Sequence, residues 1–545
     1  MKDMLTMKKL IMLGCMLLPV IARADWSMFR HDSYRTGFSD ETGALDSVRL
    51  RWDWSLPSMV PCMRMTSPAI GDIDGDDTME IVLGASLNGT VYALKDSVEH
   101  LPTGRGYDTL IYRARVLWQY KVSSKVESSP LLSDINNDSI LEVIFGSYND
   151  SLYALDGSGN RIWSFGTGGS INSSPVAGDI DIDGNVEIAF GSWDSYVYVL
   201  DANGTLKWKY KTGNRIESSP ALADINKDGT LEIVIGSEDK KLYCFQPSID
   251  TLETLWVYTA SDKICSTPAI GDLDKDGTLD VVFGCVDGMF YAINGAIHDL
   301  LWYFSTVGTG NSDQCQSVGL ADIDNDGKLE VVAGSFAGGG VYALEGETGM
   351  EKWELTYFGW PVPSSPAIAD IDGDGSLEIV MSIHDGYCYA WNSNGNEQWV
   401  WGYSNGDQDC PPALGDIDCD GMLEIVGSDI AKGKFFVLDF PLPDTFPIGI
   451  EEKPGTKFYG DILRVSQNPI ISSIIIKYYV PAKSNVLLSI YDITGKKVAK
   501  LVNEAQEVGS YDVNFSTISK VSTGIYFVRL EVDRYKETRK IILIK

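Results

Sequence analysis

Carboxylates recur along this chain in nine-residue clusters whose spacing suits a hard cation. The clusters are 72–80 (DIDGDDTME), 134–142 (DINNDSILE), 179–187 (DIDIDGNVE), 224–232 (DINKDGTLE), 272–280 (DLDKDGTLD), 322–330 (DIDNDGKLE), 370–378 (DIDGDGSLE) and 416–424 (DIDCDGMLE). In each, an acid or amide stands at positions 1, 3 and 5 and an acid at position 9, while position 7 varies. The first offers Asp72, Asp74, Asp76 and Glu80 around Thr78; the second Asp134, Asn136, Asp138 and Glu142 around Ile140. The third offers Asp179, Asp181, Asp183 and Glu187 around Asn185, and the fourth Asp224, Asn226, Asp228 and Glu232 around Thr230. The fifth has Asp272, Asp274, Asp276 and Asp280 around Thr278; the sixth has Asp322, Asp324, Asp326 and Glu330 around Lys328. The seventh has Asp370, Asp372, Asp374 and Glu378 around Ser376, and the eighth Asp416, Asp418, Asp420 and Glu424 around Met422. Variation at position 7 is expected if that residue contributes only its backbone carbonyl, which gives the 1, 3, 5, 7, 9 oxygen order of calcium loops. Oxygen ligands without clustered His or Cys favour Ca²⁺ over zinc or copper. The helix-flanked loop of twelve positions is disfavoured, because here the acid comes at position 9 and a strand-like run follows.

The alternative is a set of solvated Asp-Gly turns with no ion. Charge argues against it: 30 of the 32 side chains at positions 1, 3, 5 and 9 are carboxylates, and three or four of them converging on one turn repel strongly without a cation. Up to eight structural Ca²⁺ are expected, with affinities in the weak extracellular range of roughly 10⁻⁴–10⁻³ M. Asn136 and Asn226 reduce the charge facing the ion, so the second and fourth sites should bind most weakly.

The elements that hold these loops follow from their period. Successive first aspartates lie 62, 45, 45, 48, 50, 48 and 46 residues apart, near the period of four-stranded propeller blades; the outlier contains an insertion of about twenty residues around 97–115. Before each cluster runs a small-residue segment such as Ser218-Ser219-Pro220-Ala221. After it comes a β-branched run ending in Gly, then a turn, then a run such as Leu242-Tyr243-Cys244-Phe245. A fourth segment carries Trp118, Trp163, Trp208, Trp256, Trp302, Trp353 or Trp399. Four short strands per unit make a blade, and α-solenoid periodicity is absent. The last unit lacks its Trp segment, whereas Leu50-Arg51-Trp52-Asp53-Trp54 precedes the first unit without a blade of its own. The expectation is an all-β, eight-bladed propeller closed by this amino-terminal strand, which removes exposed sheet edges.

The repeated unit resembles the FG-GAP/VCBS repeat of integrin-type propellers, and Tyr153-Ala154-Leu155-Asp156 with Trp163 resembles a PQQ-like propeller repeat. The resemblance covers about 400 residues and implies a calcium-stabilised propeller, often in a surface, adhesion or binding protein; it supplies no activity. Asp77 and Ser139 stand where the family pattern has Gly, Ile182 is bulky at position 4, and the eighth unit has a shortened Glu424-Ile425-Val426-Gly427. Distorted loops are expected there.

The two ends of the chain carry addresses. Lys8 and Lys9, an apolar run over 10–21 and Ala22-Arg23-Ala24 form a signal peptide over 1–24; the run is too short to be retained as a spanning helix. The propeller is assigned to 25–440 and a Pro-rich linker to 441–455. Residues 456–545 reverse the charge, with 14 Lys+Arg against 8 Asp+Glu, and alternating runs at 474–480, 486–492, 509–515, 525–532 and 538–544 suggest a small Ig-like β-sandwich. Asn468-Pro469, Leu488-Ser489-Ile490-Tyr491-Asp492-Ile493-Thr494-Gly495, Gly524-Ile525-Tyr526-Phe527 and the terminal Arg539-Lys540-Ile541-Ile542 resemble the type A sorting domain of the type IX secretion system. The resemblance implies that the secretion machinery is a partner and that the protein is secreted or held at the outer cell surface. An ordinary Ig-like sandwich that binds a partner is the alternative.

Composition narrows function further. A formal net charge of −32 disfavours nucleic-acid binding through a basic face, and no later segment is long and apolar enough to span a membrane. His31, His100, His298 and His384 form no metal or nucleophile motif. Gly402-Tyr403-Ser404-Asn405-Gly406 fits G-x-S-x-G, but in a polar inter-strand turn without the strand-to-helix elbow. Cys62, Cys244, Cys265, Cys285, Cys315, Cys388, Cys410 and Cys419 remain after signal removal. They are either disulfide-forming, with Cys265 and Cys315 at equivalent places, or buried hydrophobes. Two readings of function stand: a calcium-binding scaffold for adhesion to an extracellular glycan or protein, or a propeller enzyme, either a polysaccharide lyase or a PQQ-type quinoprotein. Charged groups converging outside the nine-residue loops would raise the second.

Overall fold

A computed structural model describes residues 38–42, 48–56, 66–85, 89–102, 108–248, 251–306, 317–336, 339–356, 360–371, 374–402, 410–418, 422–429, 432–439, 463–465, 473–480, 483–492, 496–506, 509–516, 524–532 and 535–543. The signal peptide, the linker over 441–455, Asn468-Pro469, His31, Cys62, Cys315, Cys419 and the Ser404 turn lie outside the described residues, as do the ligand candidates Asp372 and Asp420. The chain divides into two compact units, 1–99 with 110–446, and 100–109 with 447–545. All regular elements among the described residues are strands, and no helix is long and apolar enough to cross a membrane.

In the first unit, each acidic loop joins the first two strands of its own antiparallel sheet, and the sheets are numbered here by their loops. The first, for example, runs Ala69–Gly71, Glu80–Ala85, Thr90–Pro102, Asp108–Lys121 in spatial order. The insertion around 97–115 is thus the extension of two paired strands. The short strands adjoin one another across sheets, from Ala413–Gly415 through Ala69–Gly71, Leu131–Ser133, Val176–Gly178, Ala221–Ala223, Ala269–Gly271 and Val318–Ala321 to Ala367–Asp370. Small side chains are required where sheets converge, and here they also bond. The Ser129 hydroxyl accepts the Ser67 N–H at 3.0 Å, Ser174 that of Ser129 at 3.0 Å, and Ser219 that of Ser174 at 2.9 Å.

The expected closure is present. Arg49–Ser55 pairs antiparallel with Lys434–Asp439 as the outermost strand of the eighth sheet. A single buried cluster joins residues of the seventh, eighth and first sheets, among them Ala369, Val380, Leu414, Phe436, Ile81 and Leu83. Phe38–Thr42 adds a fifth strand, parallel to Ala367–Asp370, at the inner edge of the seventh sheet.

The tryptophans stitch neighbouring sheets rather than forming an open platform. The indole N–H of Trp118 donates to the Gly157 carbonyl at 2.9 Å, Trp163 to Ala202 at 3.0 Å, and Trp353 to Ser393 at 2.8 Å, in each case a turn of the next sheet. The ring lies against a left-handed glycine of that turn: Gly159 has φ +79°, and a Cβ there would stand 2.6 Å from Trp118 Cδ2. Gly159→Ala therefore strains the backbone and pushes the indole aside, and should cost about 1–3 kcal/mol in urea unfolding; an unchanged midpoint would refute this account of the junction.

The second unit holds two sheets, one ordered Leu463–Val465, Ser473–Val480, Gly509–Ser516 and one ordered Lys497–Gln506, Ser484–Asp492, Gly524–Val532, Tyr535–Leu543. Their inner faces share one core built on Ile476, Tyr478, Leu488, Ile490, Val528 and Leu530, as a sandwich requires. Leu463–Val465 and Lys497–Gln506 are strands that sequence patterning missed. The second is polar and only half-buried along its length, so it shows no alternation.

Candidate metal centres

Each acidic loop is organised around the acid at position 9. This carboxylate opens the second strand of its sheet and is 0–2 % exposed in all eight loops. One of its oxygens accepts the backbone N–H of position 2. The distances are 3.0 Å for Glu80 to Ile73, 2.9 Å for Glu142 to Ile135, 2.9 Å for Glu187 to Ile180, 2.8 Å for Glu232 to Ile225, 3.0 Å for Asp280 to Leu273, 2.9 Å for Glu330 to Ile323, 3.0 Å for Glu378 to Ile371 and 2.7 Å for Glu424 to Ile417. The other oxygen meets a lysine in the first, third and sixth loops and an asparagine amide in the second and fourth, while Asp280 Oδ1 of the fifth has no donor.

Positions 1 and 5 shape the backbone. Asp72 Oδ1 accepts the N–H of Gly75 at 2.7 Å and its Oδ2 that of Asp77 at 2.9 Å; Asp134, Asp179, Asp224, Asp272 and Asp370 likewise accept from position 6. The position 5 carboxylate accepts the N–H of position 7, as Asp138 from Ile140 at 2.8 Å, Asp183 from Asn185 at 2.8 Å, Asp326 from Lys328 at 2.7 Å and Asp374 from Ser376 at 2.7 Å. Thr78, Thr230 and Thr278 are held in the same way. Asp416, Asp418 and Met422 are placed in the eighth loop.

The first, second and third loops, expected to be distorted, keep the common conformation, while positions 4 to 6 of the eighth lie outside the described residues. Position 6 is left-handed whether it is Gly184 (φ +86°), Asp77 (φ +67°) or Ser139 (φ +69°), and Ile182 takes φ +59° at position 4, as Lys275 does at +58°. A β-branched residue pays conformational strain there, and its side chain stands 57 % exposed.

Carboxylate oxygens of Asp72, Asp74 and Glu80 lie within 4.8 Å of one another, as do those of Asp179, Asp181 and Glu187, of Asp272, Asp274 and Asp276, and of Asp322, Asp324 and Glu330. Buried oxygens without a hydrogen-bond donor face these turns: Oδ1 of Asp181, Asp224, Asp272, Asp280, Asp322 and Asp370. Such atoms are costly unless something cationic meets them. The same imbalance shows in acidity. Burial pushes Glu142, Glu232 and Asp280 up to about 7, and neighbouring loop carboxylates add to the shift. The donor set fits a calcium ion best in the fifth loop, where Asp272, Asp274 and Asp276 converge and Asp280 Oδ1 has no donor. In the second and fourth, the Asn136 and Asn226 amides donate to the position 9 glutamate at 2.9 and 3.1 Å.

Charged groups do converge at the opposite end of the sheets. Trp193 packs edge-on against Tyr148 with centroids 5.1 Å apart, and the Arg215 guanidinium lies 4.8 Å from the Trp193 ring. Arg215 also pairs with Glu238, and Lys263 Nζ lies 3.5 Å from the same carboxylate. Acceptor atoms of Glu217, Glu238 and Cys265 stand within 4.8 Å of one another. Sequence reasoning passed over this cluster, because its members differ from sheet to sheet and so carry no repeated signature. Cys244, Cys265, Cys285, Cys388 and Cys410 are unbridged, and burial raises the thiols of Cys244, Cys285 and Cys388. His298 stacks on Trp256, and His384 lies edge-on to Phe336.

Comparison with known proteins agrees with this architecture. The FG-GAP-like repeat family matches residues 272–333 and 322–381, the lambda-carrageenase β-propeller domain family matches 167–259, and the secretion system C-terminal sorting domain family matches 468–545. No curated protein matches the sequence. Among solved structures, a quinohemoprotein alcohol dehydrogenase of Comamonas testosteroni is similar with a TM-score of 0.57 at 12% identity, covering 85% of each chain. The quinohemoprotein alcohol dehydrogenase ADHIIG of Pseudomonas putida HK5 gives 0.56 at 14% identity, over 82% of this chain and 83% of that one. A europium-containing methanol dehydrogenase gives 0.55 at 12% identity, over 79% of this chain and all of the other. At these identities the likeness is one of fold.

Proposed function

We propose that this chain is an exported, calcium-binding, eight-bladed propeller that serves as a binding or adhesion scaffold at the cell surface or in the medium. FG-GAP-like repeats and a carboxyl-terminal sorting domain frame that reading. The observation that carries it is the position 9 acid: buried in every loop, anchored by one oxygen, and in the fifth loop presenting Asp280 Oδ1 with no donor. The ions are structural; they hold the turn between the first two strands of a sheet. Export rests on the tail. In a host with type IX machinery, removing residues 468–545 should leave the propeller inside the outer membrane, as read by fractionation; undiminished surface or medium levels would refute the address.

A second reading, an extracellular polysaccharide-acting propeller, draws on the Trp193, Arg215 and Glu238 cluster, which falls inside the segment similar to a lambda-carrageenase propeller domain. Glycan-array binding with and without EDTA, run beside an absorbance assay for lyase products on the bound glycan, separates the two. Binding without turnover supports the scaffold; product formation lost in Arg215→Ala supports the enzyme.

A further inference from the structure

The described loops divide into two kinds, and the difference is a cation supplied by the chain. Lys207, directly before Trp208 on the outer strand of the third sheet, places Nζ 2.7 Å from Asp181, 3.3 Å from Asp183 and 2.8 Å from Glu187. Lys352, directly before Trp353 in the sixth sheet, places Nζ 2.5 Å from Asp324 and 3.1 Å from Glu330. Arg51, directly before Trp52 in the eighth sheet, sets Nη1 2.8 Å from Asp418. In the first sheet the charge comes from the third strand: Lys95 Nζ lies 3.1 Å from Asp74, 2.5 Å from Asp76 and 2.8 Å from Glu80. These groups sit among the oxygens that would ligate a metal. An ammonium 2.5–3.3 Å from those atoms and a calcium ion about 2.3–2.6 Å from the same atoms cannot share the turn.

Among the described residues, no lysine or arginine pairs with a carboxylate of the second, fourth or fifth loop; Lys227, at the rim of the fifth, donates to the Gly277 carbonyl instead. The residue before the outer tryptophan is Ile162 in the second, Leu255 in the fourth, Leu301 in the fifth and Gln398 in the seventh. Opposite Asp280, where the first sheet has Lys95 opposite Glu80, stands the neutral Asn294. We propose that the first, third, sixth and eighth loops are neutralised from within and bind no calcium, and that the second, fourth and fifth loops are metal sites, the fifth foremost. This rests on the calcium reading above for the second set only; the first set is argued from its own ion pairs.

The test uses the mature full-length chain, stripped with EDTA and re-equilibrated with calcium. Bound calcium counted by mass spectrometry should be about three or four per chain at saturation, the seventh loop deciding between the two. Lys207→Met and Lys352→Met should each add one ion, and each should melt below wild type in EDTA and recover in calcium. Leu301→Lys, which moves the cation into the fifth loop, should remove one. Eight ions in wild type, or no gain in both Met variants while wild type holds about three or four, would overturn the proposal. A wild type that binds none overturns the calcium reading; internal neutralisation then stands if both Met variants still melt lower in EDTA, and falls if neither does.

Discussion

Chelation with EDTA should lower the melting temperature of the purified propeller, and restoring millimolar calcium should reverse the loss. The size follows from mass action. With dissociation constants of roughly 10⁻⁴–10⁻³ M, 10 mM calcium adds about 1.4–2.7 kcal/mol per occupied site, so several sites together change stability by more than any single side chain. The fifth loop should contribute most. Asp280→Asn keeps the size of the side chain and one acceptor for the Leu273 N–H but removes the charge meant for the ion. Without calcium this variant should match or exceed wild type, because burial already disfavours the ionised form of Asp280. With calcium it should gain less than wild type. Calorimetry in the two buffers checks this, and equal melting of wild type with and without metal would refute the calcium reading.

Arg51→Met should be the most damaging single substitution at the ring junction. The guanidinium is 3% exposed and lies 2.6 Å from Asp96, 2.8 Å from Asp418 and 3.2 Å from Asp439, with the Tyr112 ring 4.1 Å away. Burial opposes its charge, but the bonds to Asp96 and the surrounding carboxylates more than compensate and raise its pKa. Asp96 belongs to the first sheet and Asp439 to the eighth, so one side chain ties the two ends together. Trp52 reinforces the tie by donating to Asp96 at 2.8 Å. Removing one partner of a buried ionic cluster costs about 3–5 kcal/mol. Hydrogen exchange should accelerate first in Arg49–Ser55 and Lys434–Asp439; loss confined to another sheet would refute the assignment. Adding Asp96→Asn and Asp439→Asn to the variant should recover part of the loss, since two of the three stranded charges are then gone.

Much of this was legible in the sequence because repetition multiplies a weak signal. One acidic turn resembles many surface turns, but eight in phase with a small-residue strand before, a β-branched strand after and a tryptophan beyond leave little freedom. The closing strand was legible for a related reason: Arg51-Trp52 is a misplaced copy of the Trp segment that the last unit lacks. Two features were not. Phe38–Thr42 (FSDET) has no alternation, and its pairing depends on an inner edge assembled some 330 residues later. The internal cations were visible as Lys207-Trp208, Lys352-Trp353 and Arg51-Trp52, but counting charge within each loop ignores a partner brought in by the fourth strand. The side chain that a neighbouring strand brings in, not the composition of the loop, decides whether a carboxylate seeks a metal or already has an ammonium.

The pairing of the first outer strand with the last third strand has a consequence in time. Arg51 and Asp439 are 388 residues apart, so a ribosome adding 5–20 residues per second makes one roughly 20–80 s before the other. Apart from Phe38–Thr42 on the seventh, the intervening sheets each join consecutive strands and can assemble locally as they emerge, whereas the junction must wait for the whole arc and then surmount a large loop-closure entropy. Maturation of this protein therefore has a slow final joining event, and during the wait Arg49–Ser55 is an unpaired edge that another nascent copy could capture.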